Sequence, residues 1–228
     1  MRVIGHRGLP HAHPENSLAG LRAAVAMGAD GVEFDVRTTS YGEQVLMHDA
    51  TLDRTTDRKG PLSALGRADM ASARLSNGEG IPTLSEALEA CADASEIHVD
   101  VKDAESGLAS CSAVFKTGMQ DRTIFASSCG PWLVAVKMKY PKARVAFSCG
   151  ERGLDSARIA NSLKAEAVNL SLWAATRRNF GRARENGLRV YVWTVDRPRH
   201  LRKCLRMGAD GIFTNRLDAV LPLLRAPE

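Results

Sequence analysis

The chain has 228 residues, a length that suits one α/β domain, and 44% of them are hydrophobic, which is enough for a sizeable core. Its 31 lysines and arginines exceed its 26 aspartates and glutamates, so the formal net charge is +5. This balance favours an anionic ligand. The basic residues are spread along the chain without the concentrated patch of a nucleic-acid-binding protein, so we expect no nucleic-acid partner.

The cysteines and the N-terminal sequence bear on the compartment. The five cysteines are far apart, odd in number and form no C-x-x-C pair, which argues against a disulfide framework and against a zinc knuckle. The N-terminus enters a strand-like run at once, without a signal peptide, and no run reaches the roughly 18 apolar residues of a membrane span. These features predict a soluble, cytoplasmic protein without stable membrane insertion. They leave the oligomeric state open.

Strand-like and helix-like patterns alternate along most of the chain, which is typical of a parallel βα fold. The predicted strands are Arg2–His6, Val32–Val36, Gln44–His48, Ile97–Lys102, Thr123–Ser127, Arg144–Phe147, Ala167–Leu170, Arg189–Val195 and Gly211–Thr214. The predicted helices are Asn16–Met27, Pro82–Ala92, Glu105–Lys116, Pro131–Lys139, Asp155–Leu163, Thr176–Asn186, Pro198–Met207 and Leu217–Leu224. Residues Asp49–Ile81 interrupt the alternation and predict a long excursion with one or two short helical turns.

One short segment occurs twice. Met27-Gly28-Ala29-Asp30-Gly31-Val32 recurs as Met207-Gly208-Ala209-Asp210-Gly211-Ile212, and each copy follows a helix pattern and enters a strand. The same helix-to-strand joint is therefore used twice, as expected where one βα unit repeats.

Nine strands are one more than an eight-stranded barrel needs, and Gln44–His48 is the extra one. The connection from Val36 to Gln44 is too short for a parallel crossover, but it suits an antiparallel hairpin about Tyr41-Gly42. We therefore predict a single-domain TIM barrel over residues 1–228, with an extra hairpin strand after the second barrel strand.

This hairpin brings titratable groups together. Glu33 and Asp35 share one face of their strand, and symmetric folding about Tyr41-Gly42 sets His48 roughly opposite Asp35. A shift of one residue in the register would turn His48 to the other face.

The polar residues at these strand ends suit phosphodiester hydrolysis. That reaction needs a base, an acid and positive charge at the phosphoryl oxygens, and two histidines such as His6 and His48 can divide the proton transfers. Glu33 and Asp35 are hard oxygen donors that suit Mg²⁺ or Ca²⁺. Asp100 is a third strand carboxylate, and Lys102, two residues further on, points the same way.

An ordered set of motifs resembles the glycerophosphodiester phosphodiesterase family. The motifs, in chain order, are His6-Arg7-Gly8, Pro14-Glu15-Asn16-Ser17, Glu33-Phe34-Asp35-Val36, His48-Asp49, Ile81-Pro82-Thr83-Leu84, Val192-Trp193-Thr194-Val195 and Gly208-Ala209-Asp210-Gly211-Ile212. The resemblance implies a TIM barrel that hydrolyses small glycerophosphodiesters to sn-glycerol 3-phosphate and an alcohol.

The resemblance also implies roles for individual residues. It implies a divalent metal ion at Glu33, Asp35 and Asp100, and an acid–base pair at His6 and His48. It implies phosphate contacts at Arg7 and Lys102, and it places Glu15 and Trp193 around the substrate pocket.

One position departs from the family pattern and leaves alternatives open. The third acidic position is usually Glu in this family, whereas Asp100 is one methylene shorter, so its direct binding to the metal is in question. An Asp there also resembles the related sphingomyelinase-D-like barrels, which act on lysolipids as lysophospholipase-D-type enzymes. A metal-dependent lyase on the same barrel and a non-catalytic binding protein are the alternatives from other classes.

Overall fold

The computed structural model describes residues 1–151 and 155–225. The strands are β1 (Arg2–Gly5), β2 (Gly31–Thr38), β3 (Gln44–Leu46), β4 (Glu96–Val101), β5 (Thr123–Ser127), β6 (Arg144–Cys149), β7 (Ala167–Ser171), β8 (Arg189–Trp193) and β9 (Gly211–Thr214). The helices are α1 (Leu18–Ala26), α2 (Arg67–Ser72), α3 (Leu84–Ala90), α4 (Ala104–Lys116), α5 (Gly130–Lys139), α6 (Ser156–Ser162), α7 (Arg177–Glu185), α8 (Pro198–Met207) and α9 (Leu217–Arg225). Residues 152–154 and 226–228, which the single-domain prediction includes, lie outside the described residues.

All strands except β3 pair in parallel and close into a ring. The hydrogen-bonded order runs from β1 through β9, β8, β7, β6, β5 and β4 to β2, and β1 also pairs with β2. Aliphatic and aromatic side chains fill the interior of the ring, among them Ile4, Ala167, Tyr191 and Phe213. The predicted TIM barrel is confirmed, so the carboxyl ends of its strands form the face on which such barrels carry their active sites.

The extra strand β3 pairs antiparallel with β2, as predicted, but the predicted register is wrong by one residue. Leu46 lies opposite Val36, and the N–H of Met47, rather than of His48, donates to the carbonyl of Asp35. The turn is centred on Tyr41, because the N–H of Thr39 donates to the carbonyl of Glu43. His48 lies beyond the end of β3, so the alternation of the strand does not set its direction.

The repeated joint has the same structure in both copies. The N–H of Asp30 donates to the carbonyl of Val3, and its carboxylate accepts from the N–H of Val3 at 2.8 Å. Asp210 forms the same pair of hydrogen bonds with Val190, with its carboxylate also at 2.8 Å. Each aspartate therefore ties the start of one strand to its parallel neighbour.

The excursion between β3 and α3 contains a 3-10 helix (Leu62–Ala64) and α2, as predicted. It has a small apolar cluster of its own, which includes Met47, Leu52 and Met70. At its end Thr83 caps α3 and exchanges hydrogen bonds with Glu86, which forms a capping box. No described helix combines the length and the apolarity needed to cross a lipid bilayer.

Candidate active site

The predicted site residues converge at the carboxyl ends of the barrel strands. One cavity there is lined by seven of the nine, namely His6, Arg7, Glu33, His48, Asp100, Lys102 and Trp193. Asp35 is almost fully buried beside Glu33 and Asp100, and Glu15 lies against Arg7. The β1–α1 loop brings Arg7 close because Gly8, with a φ of +84°, lets the chain pack against the backbone of α1.

Three carboxylates form the acidic part of the site. Glu33, Asp35 and Asp100 each offer an oxygen within 4.8 Å of the others. Burial, followed by the charges of Asp35 and Asp100, raises the pKa of Glu33 well above its usual range. Burial also raises the pKa of Asp100. The cluster therefore holds more negative charge than its surroundings readily stabilise, which is a setting that favours a cation.

Two basic side chains lie against this cluster. Lys102 Nζ is 3.0 Å from Asp35 Oδ1 and 2.5 Å from Asp100 Oδ2, and Arg7 Nε is 3.2 Å from Asp35 Oδ2. Burial alone would raise the pKa of Asp35, but the charges of Lys102 and Arg7 lower it below its usual value. Of the three carboxylates, Asp35 is therefore the one whose negative charge both basic side chains offset. Glu33 instead accepts a hydrogen bond from the backbone N–H of Arg7 at 2.8 Å.

His6 is held by a hydrogen-bonded chain from the end of β9. Its Nδ1 is 2.8 Å from Asn215 Oδ1, and Asn215 Nδ2 donates to Asp196 Oδ2 at 2.9 Å. Since a carboxylate only accepts, the amide NH₂ of Asn215 points to Asp196 and its oxygen accepts from Nδ1–H of His6. Burial, and then the charge of Arg7, lower the pKa of His6. The neutral ring thus keeps Nε2, 3.9 Å from Glu33 Oε2, as a base.

His48 is held in a parallel way. Its Nδ1 is 2.7 Å from Asp49 Oδ1, and Arg54 Nε donates to the other oxygen of Asp49 at 2.6 Å. Arg54 also donates twice to Glu15 at 2.7 Å, and Glu15 accepts from Arg7 at 3.0 Å. Both catalytic candidates are therefore oriented through Nδ1. Glu15 holds Arg7 and Arg54, and its predicted contact with substrate stays a prediction.

Four residues that hold the site side chains in place were not predicted to have that role from the sequence. Asn16 is the first residue of the predicted helix Asn16–Met27, but the helix begins later and Ser17 caps it. Asn16 instead donates to Asp35 Oδ2 at 2.8 Å from a left-handed backbone with a φ of 58°. Asn215 and Asp196 follow β9 and β8, so their place after a barrel strand was the available signal. Arg54 lies in the excursion, where no local pattern identifies it.

The fold and this site together define a TIM-barrel hydrolase that has two oriented histidines beside an acidic cluster. The chain belongs to the glycerophosphoryl diester phosphodiesterase family, whose model matches residues 6–219. It is a glycerophosphodiester phosphodiesterase, one of the phosphoric diester hydrolases.

Individual proteins are similar to this chain over nearly its whole length. A glycerophosphodiester phosphodiesterase of Caldanaerobacter subterraneus is 29% identical over 241 residues, which covers 98% of this chain and 97% of the relative. A glycerophosphodiester phosphodiesterase of Thermotoga maritima is 25% identical, with a TM-score of 0.81 over 99% of this chain and 98% of its own. A phosphodiesterase of Oleispira antarctica, solved with the product sn-glycerol-3-phosphate, shares the fold with a TM-score of 0.92 at 23% identity, covering 99% of this chain and 97% of its own.

Proposed function

We propose that this protein hydrolyses glycerophosphodiesters to sn-glycerol 3-phosphate and an alcohol by metal-assisted catalysis with two histidines. The observation that carries the proposal is the position of His6 and His48. Each is held through Nδ1, and both line one cavity together with Arg7 and Lys102. The sn-glycerol-3-phosphate bound by the Oleispira antarctica phosphodiesterase supports the choice of product.

In the first step, Nε2 of neutral His6 takes the proton of the glycerol 2-hydroxyl, and its oxygen attacks phosphorus. The bond from phosphorus to the alcohol oxygen breaks, and His48 in its protonated form gives that oxygen a proton. The cyclic phosphate is then opened by water with the roles reversed, because His48 accepts the proton of water and His6 returns one to the 2-oxygen. Arg7 and Lys102 offset the negative charge that develops on the phosphoryl oxygens.

The acidic cluster fits a divalent cation. Its oxygens are the hard donors that Mg²⁺ and Ca²⁺ prefer, and the raised pKa values of Glu33 and Asp100 reflect burial with insufficient positive charge nearby. We propose that Glu33, Asp35 and Asp100 hold Mg²⁺ or Ca²⁺, which when bound polarises a phosphoryl oxygen. The shorter side chain of Asp100 still brings a carboxylate oxygen close to those of Glu33 and Asp35. The same carboxylate also forms an ion pair with Lys102.

The other function classes fit less well. A metal-dependent lyase needs no pair of oriented histidines, and a binding protein needs no acid–base pair. Membership of a phosphodiesterase family favours hydrolysis over both. The lysolipid activity of sphingomyelinase-D-like barrels is tested in the experiment below with a lysolipid as a second substrate.

The deciding experiment incubates the purified protein with glycerophosphocholine and measures glycerol 3-phosphate with a coupled dehydrogenase. We expect release that EDTA abolishes and that Mg²⁺ or Ca²⁺ restores. Lysophosphatidylcholine is the second substrate, and its turnover is followed by the release of choline, because the other product is lysophosphatidate and not glycerol 3-phosphate. Faster release of choline from it than from glycerophosphocholine would favour the lysolipid alternative. Absence of product from glycerophosphocholine, glycerophosphoethanolamine and glycerophosphoglycerol would contradict the proposed function. Turnover that resists EDTA would contradict the role of the metal.

A further inference from the structure

A second cleft lies outside the active site, between the β7–α7 loop (residues 172–176) and helix α8. Its volume is about 800 Å³, within the range of roughly 300–1,000 Å³ that is typical of small-molecule sites. The loop contributes Trp173 to its lining, α7 contributes Arg177, and α8 contributes Lys203 and Arg206. None of the described residues that line it also lines the catalytic cavity. We call it the α8 cleft, and the mechanism described above does not use it.

The α8 cleft is positively charged, although its basic residues come from separate parts of the chain. Arg177 begins α7, whereas Lys203 and Arg206 lie on α8. In the part of the chain that the structure describes, no aspartate or glutamate lines the cleft, and no carboxylate forms an ion pair with any of these three side chains. Arg182, further along α7, instead pairs with Asp155 at 2.5 Å. The cleft therefore carries positive charge that an anionic ligand can offset.

The loop that forms the opposite wall of the cleft is held by hydrogen bonds to three other elements. The N–H of Leu172 donates to the carbonyl of Trp193 at 2.7 Å, and the carbonyl of Leu172 accepts from Lys203 Nζ at 3.1 Å. The side-chain amide of Asn179, which is buried in α7, donates to the carbonyl of Ala174 at 2.8 Å. These bonds fix the backbone of the loop, so a ligand meets a wall that is already formed and loses less affinity to ordering it.

The cleft combines an aromatic surface with these cations. The side chain of Trp173 is 66% exposed, and the apolar Leu172 and Met207 line the cleft beside it. A tryptophan ring stacks on planar aromatic groups such as nucleobases. The guanidinium group of an arginine binds two oxygens of one phosphate at once, and a lysine binds phosphate as a point charge. One tryptophan and three cations therefore match a ligand that has one aromatic ring system and several phosphate groups.

We propose that the α8 cleft is a second ligand site, which binds a nucleoside triphosphate. Trp173 stacks on the base, and Arg177, Lys203 and Arg206 bind the phosphate groups. The proposal goes beyond the proposed function and does not depend on it, because the two sites share no described lining residue.

The test titrates ATP into the full-length protein by calorimetry. The buffer is metal-free, so that a divalent ion cannot join the phosphates of ATP to the acidic cluster of the active site. We expect saturable binding of one ATP per chain in the micromolar range. Inorganic triphosphate lacks the base and adenosine lacks the phosphates, and each should bind at least about fivefold more weakly than ATP, because stacking and charge both contribute to affinity. The affinity for ATP should fall as the salt concentration rises.

Variants of the cleft and matched controls locate the binding. Trp173→Ala and Arg206→Ala should each weaken ATP binding at least about fivefold, and Trp173→Ala should leave the affinity for inorganic triphosphate within about twofold of wild type. Arg202→Ala is the matched control, because Arg202 is an exposed arginine of the same helix that does not line the cleft. Lys102→Ala is the second control, because Lys102 lines the catalytic cavity. Both controls should bind ATP as wild type does, and thermal denaturation checks that all four variants are folded.

Several results would overturn the proposal. Absence of ATP binding to wild type would do so, and so would ATP binding that both cleft variants retain. Loss of binding in Lys102→Ala would place ATP in the catalytic cavity instead. Equal affinities of wild type for ATP and inorganic triphosphate would remove the stacking role of Trp173 and with it the assignment to a nucleotide. Sedimentation with phosphatidylglycerol vesicles that requires Trp173 and Arg206, without ATP binding, would assign the cleft to a lipid surface.

Discussion

A single strand, β4, carries an acidic residue at each end of the barrel, the buried Glu96 and the partly exposed Asp100, and the pKa values of the two are shifted in opposite directions. At the amino end, Glu96 accepts from His98 and Tyr191 and lies 3.5 Å from Arg189. Burial by itself raises the pKa of Glu96, but these hydrogen bonds and charges overcome it and bring the pKa to about 2. At the carboxyl end of the same strand, burial leaves the pKa of Asp100 above its usual value.

The two ends of the barrel differ in how much of their acidic charge is balanced by neighbouring protein groups. Arg2 and Arg144 also approach Glu96, at 3.7 and 3.9 Å, so its charge is compensated within the protein. At the mouth, the lysine and arginine residues that contact Glu33, Asp35 and Asp100 are, within the described part of the chain, Arg7 and Lys102. Compensated carboxylates stabilise the fold, whereas the mouth keeps an excess of negative charge that a bound cation can offset.

The largest expected effect is on activity at the mouth. His6→Ala and His48→Ala should each lower kcat by about 10³-fold, because each removes one general acid–base group. Their melting temperatures should stay within a few degrees of wild type, which thermal denaturation checks. His200→Ala, on α8 and outside the cavity, is the control. A fully active His48→Ala protein would contradict catalysis by two histidines.

Next in size is a loss of stability at the amino end. Glu96→Gln should lower the free energy of unfolding by about 3 kcal/mol, since the hydrogen bonds from His98 and Tyr191 and the charge of Arg189 favour the ionised carboxylate over a neutral amide. Urea denaturation measures this, and kcat of the folded protein should change little. Because the pKa of Glu96 is lowered from 4.5 to about 2, its contribution is present above pH 4.5. The difference between wild type and variant should therefore shrink as the pH falls from 4.5 towards 2, and a difference that grows there would contradict this interpretation.

Orientation of His6 should matter less than its presence. Asn215→Ala removes the acceptor that holds Nδ1 of His6, and we expect kcat to fall about 10- to 100-fold because the ring loses its alignment. The KM for glycerophosphocholine should change by less than about threefold. Asn186→Ala, an exposed asparagine at the end of α7, is the control. If KM rises with kcat unchanged, Asn215 acts in binding and not in positioning.

The smallest predicted effect has the opposite sign to that of Glu96. In EDTA, Glu33→Gln should raise the free energy of unfolding by about 1 kcal/mol at pH 8, because it removes an ionised group that the folded protein disfavours. A carboxylate with a raised pKa destabilises the fold as the pH rises above its ordinary value of 4.5, so the gain should disappear towards pH 4.5. Mg²⁺ or Ca²⁺ should stabilise wild type more than the variant. A loss of stability at pH 8 would mean that the ionised form of Glu33, like that of Glu96, stabilises the fold. It would contradict the proposed difference between the two ends of the barrel.

The sequence was a good guide wherever the relevant contacts are local or periodic. The alternation of Glu33 and Asp35 in β2, and of Asp100 and Lys102 in β4, predicted their shared faces, and the order of the elements predicted the barrel. The hairpin about Tyr41 shows the limit, because a turn centred on one residue rather than on a pair shifts every partner along the strand.

What the sequence by itself determined is the class of the fold and the chemical types of the reacting groups, because both follow from period-two strands, repeated joints and residues adjacent to strand ends. Only the tertiary structure decided which groups are oriented and which carboxylates are compensated. His6 and Asn215 are 209 positions apart, and Tyr191 meets Glu96 across 95 positions. Closing the ring of strands brings such residues into contact, and no local pattern in the chain encodes those pairs.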